Sequence, residues 1–445
     1  MATTGNSLAF GTRKRHMTDE ISINQVNQHY LDKVMNLAQE RDVEATEDIF
    51  DARGMKLVAK GSRISSGMQE RLIVHKLRKP LESSITVADG IDNNIIVSEA
   101  RRLAETLAPV GSMHRIVGSK GVSPLDILQQ ARFGKAMSLM LTITERGGTS
   151  ALAHSVMVSL VSVCLAKKMG LGETEQSTVA LAGLLHDIGE LYIEPEFLDS
   201  KRRLLPHEWR HVVVHPRIGQ MLIKELENFP PAVAQAVSEH HERFDGGGYP
   251  RQLSGKNISI AGQVVSVAEM ISGVFMRQDR PLERAELAMK IIPGEHAHGL
   301  VSAVSSVLQL SGEEDGLQGA VRSENIFGDV QALHAKINGA LELGRELMDS
   351  PFLDSRAGKD LLLLALQQAQ AVKRAFTSTG LDICMQESMA DFAGLNTEIH
   401  FEVAVASKEI QWRLRDIARN MALHCVALDQ QEAKLLQPLI ALLDE

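Results

Sequence analysis

Val179-Ala-Leu-Ala-Gly-Leu-Leu-His186-Asp187-Ile-Gly189 runs seven apolar or small residues straight into an adjacent histidine and aspartate. With its alanines and leucines and no alternation, the stretch predicts a buried helix over 173–187. A polar pair ending a buried helix needs partners, since stranding an ionised carboxylate costs roughly several kcal/mol. Two arrangements supply them. One is a helix C-terminus, where the histidine meets the dipole and Gly189 caps the turn. The other is a shared cation, with both carboxylate oxygens free to bridge two ions. The pair alone fits either.

Working outward, residues 154–241 hold seven of the 16 histidines, where an even spread would place about three. Imidazole beside carboxylate is the donor set of a borderline transition metal. A helix predicted over 206–215 puts His207, His211 and His215 on one face at i, i+4, i+8. His207 and His211 sit among charges and read as surface; His215, before Pro216, is the one expected to point inward. His240 and His241 are adjacent and diverge by about 100° on a helix. That spacing suits two neighbouring ions, or one ion and one substrate contact. His154, inside Ala151-Leu-Ala-His-Ser-Val-Met-Val158, reads as a satisfied core residue unless the others recruit it.

The recruiting stretch is His240-His-Glu-Arg-Phe-Asp-Gly-Gly-Gly-Tyr-Pro250. With it, residues 147–310 resemble the HD-GYP phosphohydrolases, the HD-superfamily enzymes that hydrolyse the bacterial second messenger cyclic di-GMP. The matching pieces are His154-Ser155, His186-Asp187-Ile-Gly, His215-Pro with Gly219, and His240-His241 followed by Glu242-Arg243. They continue as Asp245-Gly246-x-Gly248-Tyr249-Pro250, Leu253-x-Gly255 and Arg280-Pro281. The resemblance implies an all-helical HD bundle holding two divalent ions, iron or manganese. The ligands carried over are His154, His186, Asp187, His215, His240, His241 and, from Val267-Ala268-Glu269, the carboxylate of Glu269. His186 and Asp187 are the catalytic pair, with Asp187 bridging the ions. A bridged water would lose its proton near neutrality and attack phosphorus in line. Substrate contacts are expected from Arg280, Arg243, Tyr249, Gly248 and Pro250, and the Gly246–Pro250 loop also offers a surface to a protein partner.

Several family positions are substituted here. The lysine after His-Asp-Ile-Gly is Glu190, and the basic residue three after Arg280 is Glu283. Ser272 replaces a second aspartate. Ser150 stands where some members carry a glutamate, which argues for two ions over three. Each lost charge-assisted contact is worth roughly 1.5–3 kcal/mol. Three readings follow: an active phosphodiesterase for cyclic di-GMP, yielding linear dinucleotide or GMP; a degenerate domain that binds metal but serves as a signalling scaffold; and a hydrolase of another phosphate ester.

The rest of the chain bounds these readings. Its 445 residues suit about two to four domains. A net charge of −9 leaves no basic excess to displace phosphate counterions, which argues against a nucleic-acid binder. Aromatics are only 4% against 44% hydrophobic residues, so the cores are aliphatic and a mainly helical fold is expected. Cys164, Cys384 and Cys425 lie far apart without a CxxC, which suits a reducing compartment. Gly147–Ala166 lacks charge, but its apolar part, Val156–Ala166, is too short for a membrane span. With no apolar run at the N-terminus, a cytoplasmic location is expected. The expected division is a flexible tail over 1–20, an N-terminal module over 21–145, the HD-type domain over 146–312, and a C-terminal helical region over 313–445. The N-terminal module contains a small α/β unit at about 46–90, with a hairpin around Ala52–Gly54. The amphipathic C-terminal stretches 330–347, 358–376, 398–420 and 430–443 suit a bundle that packs on the rest or forms a homodimer.

Overall fold

The computed structural model describes residues 25–118, 121–146, 151–199, 201–276, 280–311, 326–382 and 397–445. The tail over 1–20, Ser150 and Cys384 lie outside them. Within them the chain is mainly helical, with four short strands near its N-terminus. The first helix, Gln28–Glu40, opens on Asn27, whose side chain accepts the Tyr30 N–H at 3.0 Å. Ile49–Phe50 and Lys56–Val58 form the expected hairpin, turning at Gly54 with φ +87°. Val43–Ala45, not anticipated, pairs antiparallel with Ile85–Val87. The short helix Gln69–Val74 follows the hairpin. Lys76–Arg78 is drawn out against the hairpin: Ala52 N–H donates to the Lys76 carbonyl, and Arg78 N–H to that of Phe50.

One hydrophobic core runs from Val26 to Leu308 and joins the N-terminal module to the helical bundle, so the expected boundary near 145 is no break in packing. Its axis is the helix Ala151–Lys168, buried on nearly every side. This helix is long and apolar enough to cross a membrane, but most of it is enclosed by its neighbours, Glu173–Leu185 and Ile260–Phe275 among them. Pro124–Gln130 and Lys135–Arg146 are separate helices, broken where Gly134 N–H donates to Glu227. Ala108–Gly118 is a further helix, unread in sequence because Pro109 and Gly111 open it.

The second core runs from Ile291 to Leu443. It is built by Ile326–Met348, Arg356–Ser378, Thr397–Cys425 and Gln430–Asp444, the four amphipathic stretches expected. This bundle packs on the rest of the same chain through Thr397–Cys425. There Arg413 pairs with Glu295 at 2.6 Å, both side chains 5% exposed. Burial opposes ionisation of Glu295, but Arg413 and Arg243 outweigh it and hold its pKa down at about 2.

Candidate metal centre

Three helix ends and two helix interiors converge on one point. Glu173–Leu185 delivers His186 and Asp187 just past its last turn, and Pro231–Glu239 does the same for His240 and His241. His215 starts the helix His215–Leu226, where Pro216 occupies the first turn without losing a needed donor. His154 and Glu269 project from the interiors of Ala151–Lys168 and Ile260–Phe275. Gly189 brings two of these elements together: a Cβ there would strike the His215 carbonyl and the Gly219 nitrogen.

The side chains fall into two groups whose ligand atoms lie within 4.8 Å of one another. One is Asp187, His215, His240 and His241; the other is His154, His186, Asp187 and Glu269. Asp187 is common to both. Its Oδ2 faces His186 Nε2 at 2.9 Å, while Oδ1 faces His215 Nε2 at 3.3 Å and His240 Nε2 at 3.5 Å. Glu269 Oε2 lies 2.8 Å from His154 Nε2 and 3.0 Å from His186 Nε2.

Three rings are oriented by their other nitrogen. The Nδ1 atoms of His186, His215 and His240 donate to the carbonyls of Gly183, Val212 and Val237, at 2.8, 2.8 and 2.6 Å. A ring that donates through Nδ1 presents a lone pair at Nε2, the tautomer a metal ligand needs. In their neutral forms His215 Nε2 and His240 Nε2 face each other at 3.2 Å as two acceptors. His186 Nε2, fully buried, makes no hydrogen bond of acceptable geometry. These orphaned acceptors beside two carboxylates fit a pair of divalent cations.

Without cations the carboxylates draw protons to the facing rings: burial lowers the pKa of His154, His186 and His215, but Glu269 and Asp187 outweigh it and raise all three, His186 well above its ordinary value. Burial pushes the Asp187 carboxyl up, but His186, His215 and His240 outweigh it and keep it well below its ordinary value. Glu269 is held down in the same way by His154 and His186. His241 stays neutral: burial, then His240 and His215, depress its pKa well below the usual value. Glu190 also looks into this cleft. Its carboxyl is pushed up to about 7, first by burial and then by the charge of Asp187.

The residues expected to contact substrate have partners within the chain. Arg243 is drawn away to carboxylates, 3.0 Å from Asp416 and 3.3 Å from Glu295, with its guanidinium over Trp412 at 4.7 Å. Arg280, at φ +45°, pairs with Glu283 at 2.8 Å and lies over Phe401. Tyr249 stacks on His241 with ring centroids 4.5 Å apart, and its N–H donates to the His241 carbonyl. Gly248 has no room for a Cβ against the backbone of His241–Arg243, and Pro250 follows a cis peptide. The Gly246–Pro250 loop thus backs the ligand pair. Just past the loop, Gln252 donates to Asn420 at 2.9 Å. Ser272 is fully buried one turn beyond Glu269.

The histidine stripe does not form. Pro206–Glu208 and Trp209–Val212 are separate short turns, with His207 and His211 exposed and His211 stacked on Phe197. Sequence reading passed over Trp209, Trp412, Asp416 and Arg419. A signal existed, because the chain's two tryptophans are both in this group.

Residues 136–298 match the HD domain family. The 3'3'-cGAMP-specific phosphodiesterase 3 of Vibrio cholerae is 30% identical over 132 residues, 30% of this chain and 28% of that protein. The cyclic di-GMP phosphodiesterase response regulator RpfG of Xanthomonas campestris is 34% identical over 140 residues, 31% of this chain and 36% of that protein. A cyclic di-GMP phosphodiesterase of Thermotoga maritima is 29% identical over 166 residues, 36% of this chain and 45% of that protein. The similarity therefore spans less than half the length of each of these relatives.

Proposed function

We propose, from the premise that residues 136–298 form an HD domain, that the chain is a metal-dependent phosphodiesterase that opens a cyclic dinucleotide. The observation that carries this reading is Asp187, whose two oxygens face separate histidine groups. The donor set of imidazole and carboxylate oxygen suits iron or manganese. His154, His186 and Glu269 would hold one ion, His215, His240 and His241 the other, and Asp187 both. Bound there, the ions would acidify a shared water and neutralise the phosphate. The chain's own part is to keep Asp187 and Glu269 ionised, to aim the imidazole lone pairs, and to hold the centre rigid. Cyclic di-GMP is the first substrate to test, because relatives are named for it; 3'3'-cGAMP is the second. The role is turnover of a second messenger in bacterial signalling.

A second reading has its own observation. The four cations that the resemblance would turn toward the phosphate are lost or engaged. Glu190 and Glu283 replace two, while Arg243 and Arg280 are paired with Asp416 and Glu283. A domain of that kind would bind metal and act as a signalling module with little turnover.

One experiment separates the two. Protein loaded with Mn²⁺ or Fe²⁺ should release linear dinucleotide or GMP from cyclic di-GMP, and His186→Ala should abolish it. Metal uptake without turnover would favour the second reading, and no metal uptake would end both.

A further inference from the structure

His186, His215 and His240 each have a ring nitrogen tied to a backbone carbonyl three residues earlier, but no such bond holds His241 among the described residues. Its ring is set by stacking on Tyr249, at 4.5 Å and 25°, and on His240, at 4.1 Å and 45°. Tyr249 meets Trp209 edge to face at 5.4 Å, and Arg419 covers the Trp209 ring at 4.8 Å. A ring contact and a cation–π contact thus connect the helix Thr397–Cys425 to the Tyr249 ring that backs a metal ligand. A second tie arrives from the same helix. Arg243, two residues after His241, is gripped by Asp416 and Glu295 over Trp412. A third is Gln252 to Asn420. Trp412, Asp416 and Arg419 with Asn420 recur at four- and three-residue spacing, which is one face of one helix.

We infer that this helix is a positioning element for the metal centre. Asp416 and Arg419 act as positioning residues that hold the His240–His241 segment. Their influence is one-sided. His154 and Glu269 sit within helices, and His186 ends a third, and none of the three ties reaches them among the described residues. Loosening the C-terminal helix should therefore weaken the ion held by His215, His240 and His241 and spare the ion held by His154, His186 and Glu269. The C-terminal bundle would then be the part of the molecule through which loading of one ion is set. This inference rests on the metal-centre reading above and is independent of whether the site turns over cyclic di-GMP.

Cobalt(II) titration of the full chain, followed by calorimetry and visible absorbance, tests it. The unaltered protein should take up two ions. In Arg419→Ala and Asp416→Asn one of the two should bind about ten- to a hundredfold more weakly, the scale of losses at outer-shell partners, while the other is unchanged. Arg419→Lys, which keeps a cation over the Trp209 ring, should restore most of the loss. Trp209→Leu breaks the same chain at a partly exposed position and should reproduce Arg419→Ala if the helix variants fold poorly. Unchanged affinity at both sites, equal weakening of both, or no rescue by lysine would overturn the inference. Failure of the unaltered protein to bind two ions would overturn the metal-centre reading and this one with it. Two ions bound without hydrolysis would overturn only the phosphodiesterase reading.

Discussion

Glu190 bears directly on the proposed phosphate chemistry. A lysine there would offer a phosphate a charge-assisted contact worth about 1.5–3 kcal/mol. The glutamate offers none, although its carboxyl, pushed up to about 7 by burial and then by Asp187, is less repulsive than an ordinary surface acid. Glu190→Lys should accordingly raise kcat/KM for cyclic di-GMP about ten- to a hundredfold, measured by steady-state kinetics with Mn²⁺. An unchanged value would mean that the phosphate does not approach residue 190. At this scale the sequence is legible wherever function demands adjacent residues. His186-Asp187 and His240-His241 are neighbours in the chain, so their chemistry can be read from spacing. The pairing of Arg243 is not legible, because its partner Asp416 lies 173 residues away and no local pattern announces a contact so distant in the chain.

The elements that carry these residues are legible to the extent that their own sequence sets their ends. Ile260–Phe275 is bounded as its apolar run suggests, with Ser259 accepting the Gly262 N–H as a cap. The turns at 206–212 are not, because Pro216 and the demands of His215 break a pattern that would otherwise read as one helix. The N-terminal module docks in a way no periodicity shows. Tyr30 stacks on Tyr192, and the Tyr192 hydroxyl donates to Glu82 within the shared core. Glu82 is 2% exposed, and burial, only partly offset by the Tyr192 hydrogen bond, raises its pKa to about 7. A folded-state pKa above the unfolded one gives stability that is full below about 4.5 and falls as pH rises through about 7. The loss over that window should be about 3 kcal/mol. Urea midpoints measured at about pH 5 and pH 8 should differ in that sense, and Glu82→Gln should reduce the difference. A Gln variant that kept the full difference would assign the slope to other groups.

At the scale of the whole molecule, two hydrophobic cores meet across the Glu295–Arg413 pair, and the candidate metal centre lies in the first of them. The sequence predicts the C-terminal bundle from amphipathic spacing and the HD-type bundle from apolar runs and the resemblance, but their mutual docking depends on buried charges contributed by distant segments. Without cations the first core must hold Asp187, Glu269 and five histidines around orphaned acceptors. Ions that bind only the folded state stabilise it by mass action, by about 2.7 kcal/mol per site at a hundredfold excess over Kd. For a domain of this size each kcal/mol is worth roughly 2–4 °C in Tm. Chelation of the loaded protein should therefore lower Tm by at least about 5 °C, followed by scanning calorimetry, and excess Mn²⁺ should restore it. Asp187→Asn, which weakens the carboxylate shared by both sites, should have a Tm that responds little to either treatment. His154→Ala should keep roughly half of the response, because the group of His215, His240 and His241 remains complete. A Tm unaffected by chelator in the unaltered chain would mean that the cluster holds no ion in the folded state.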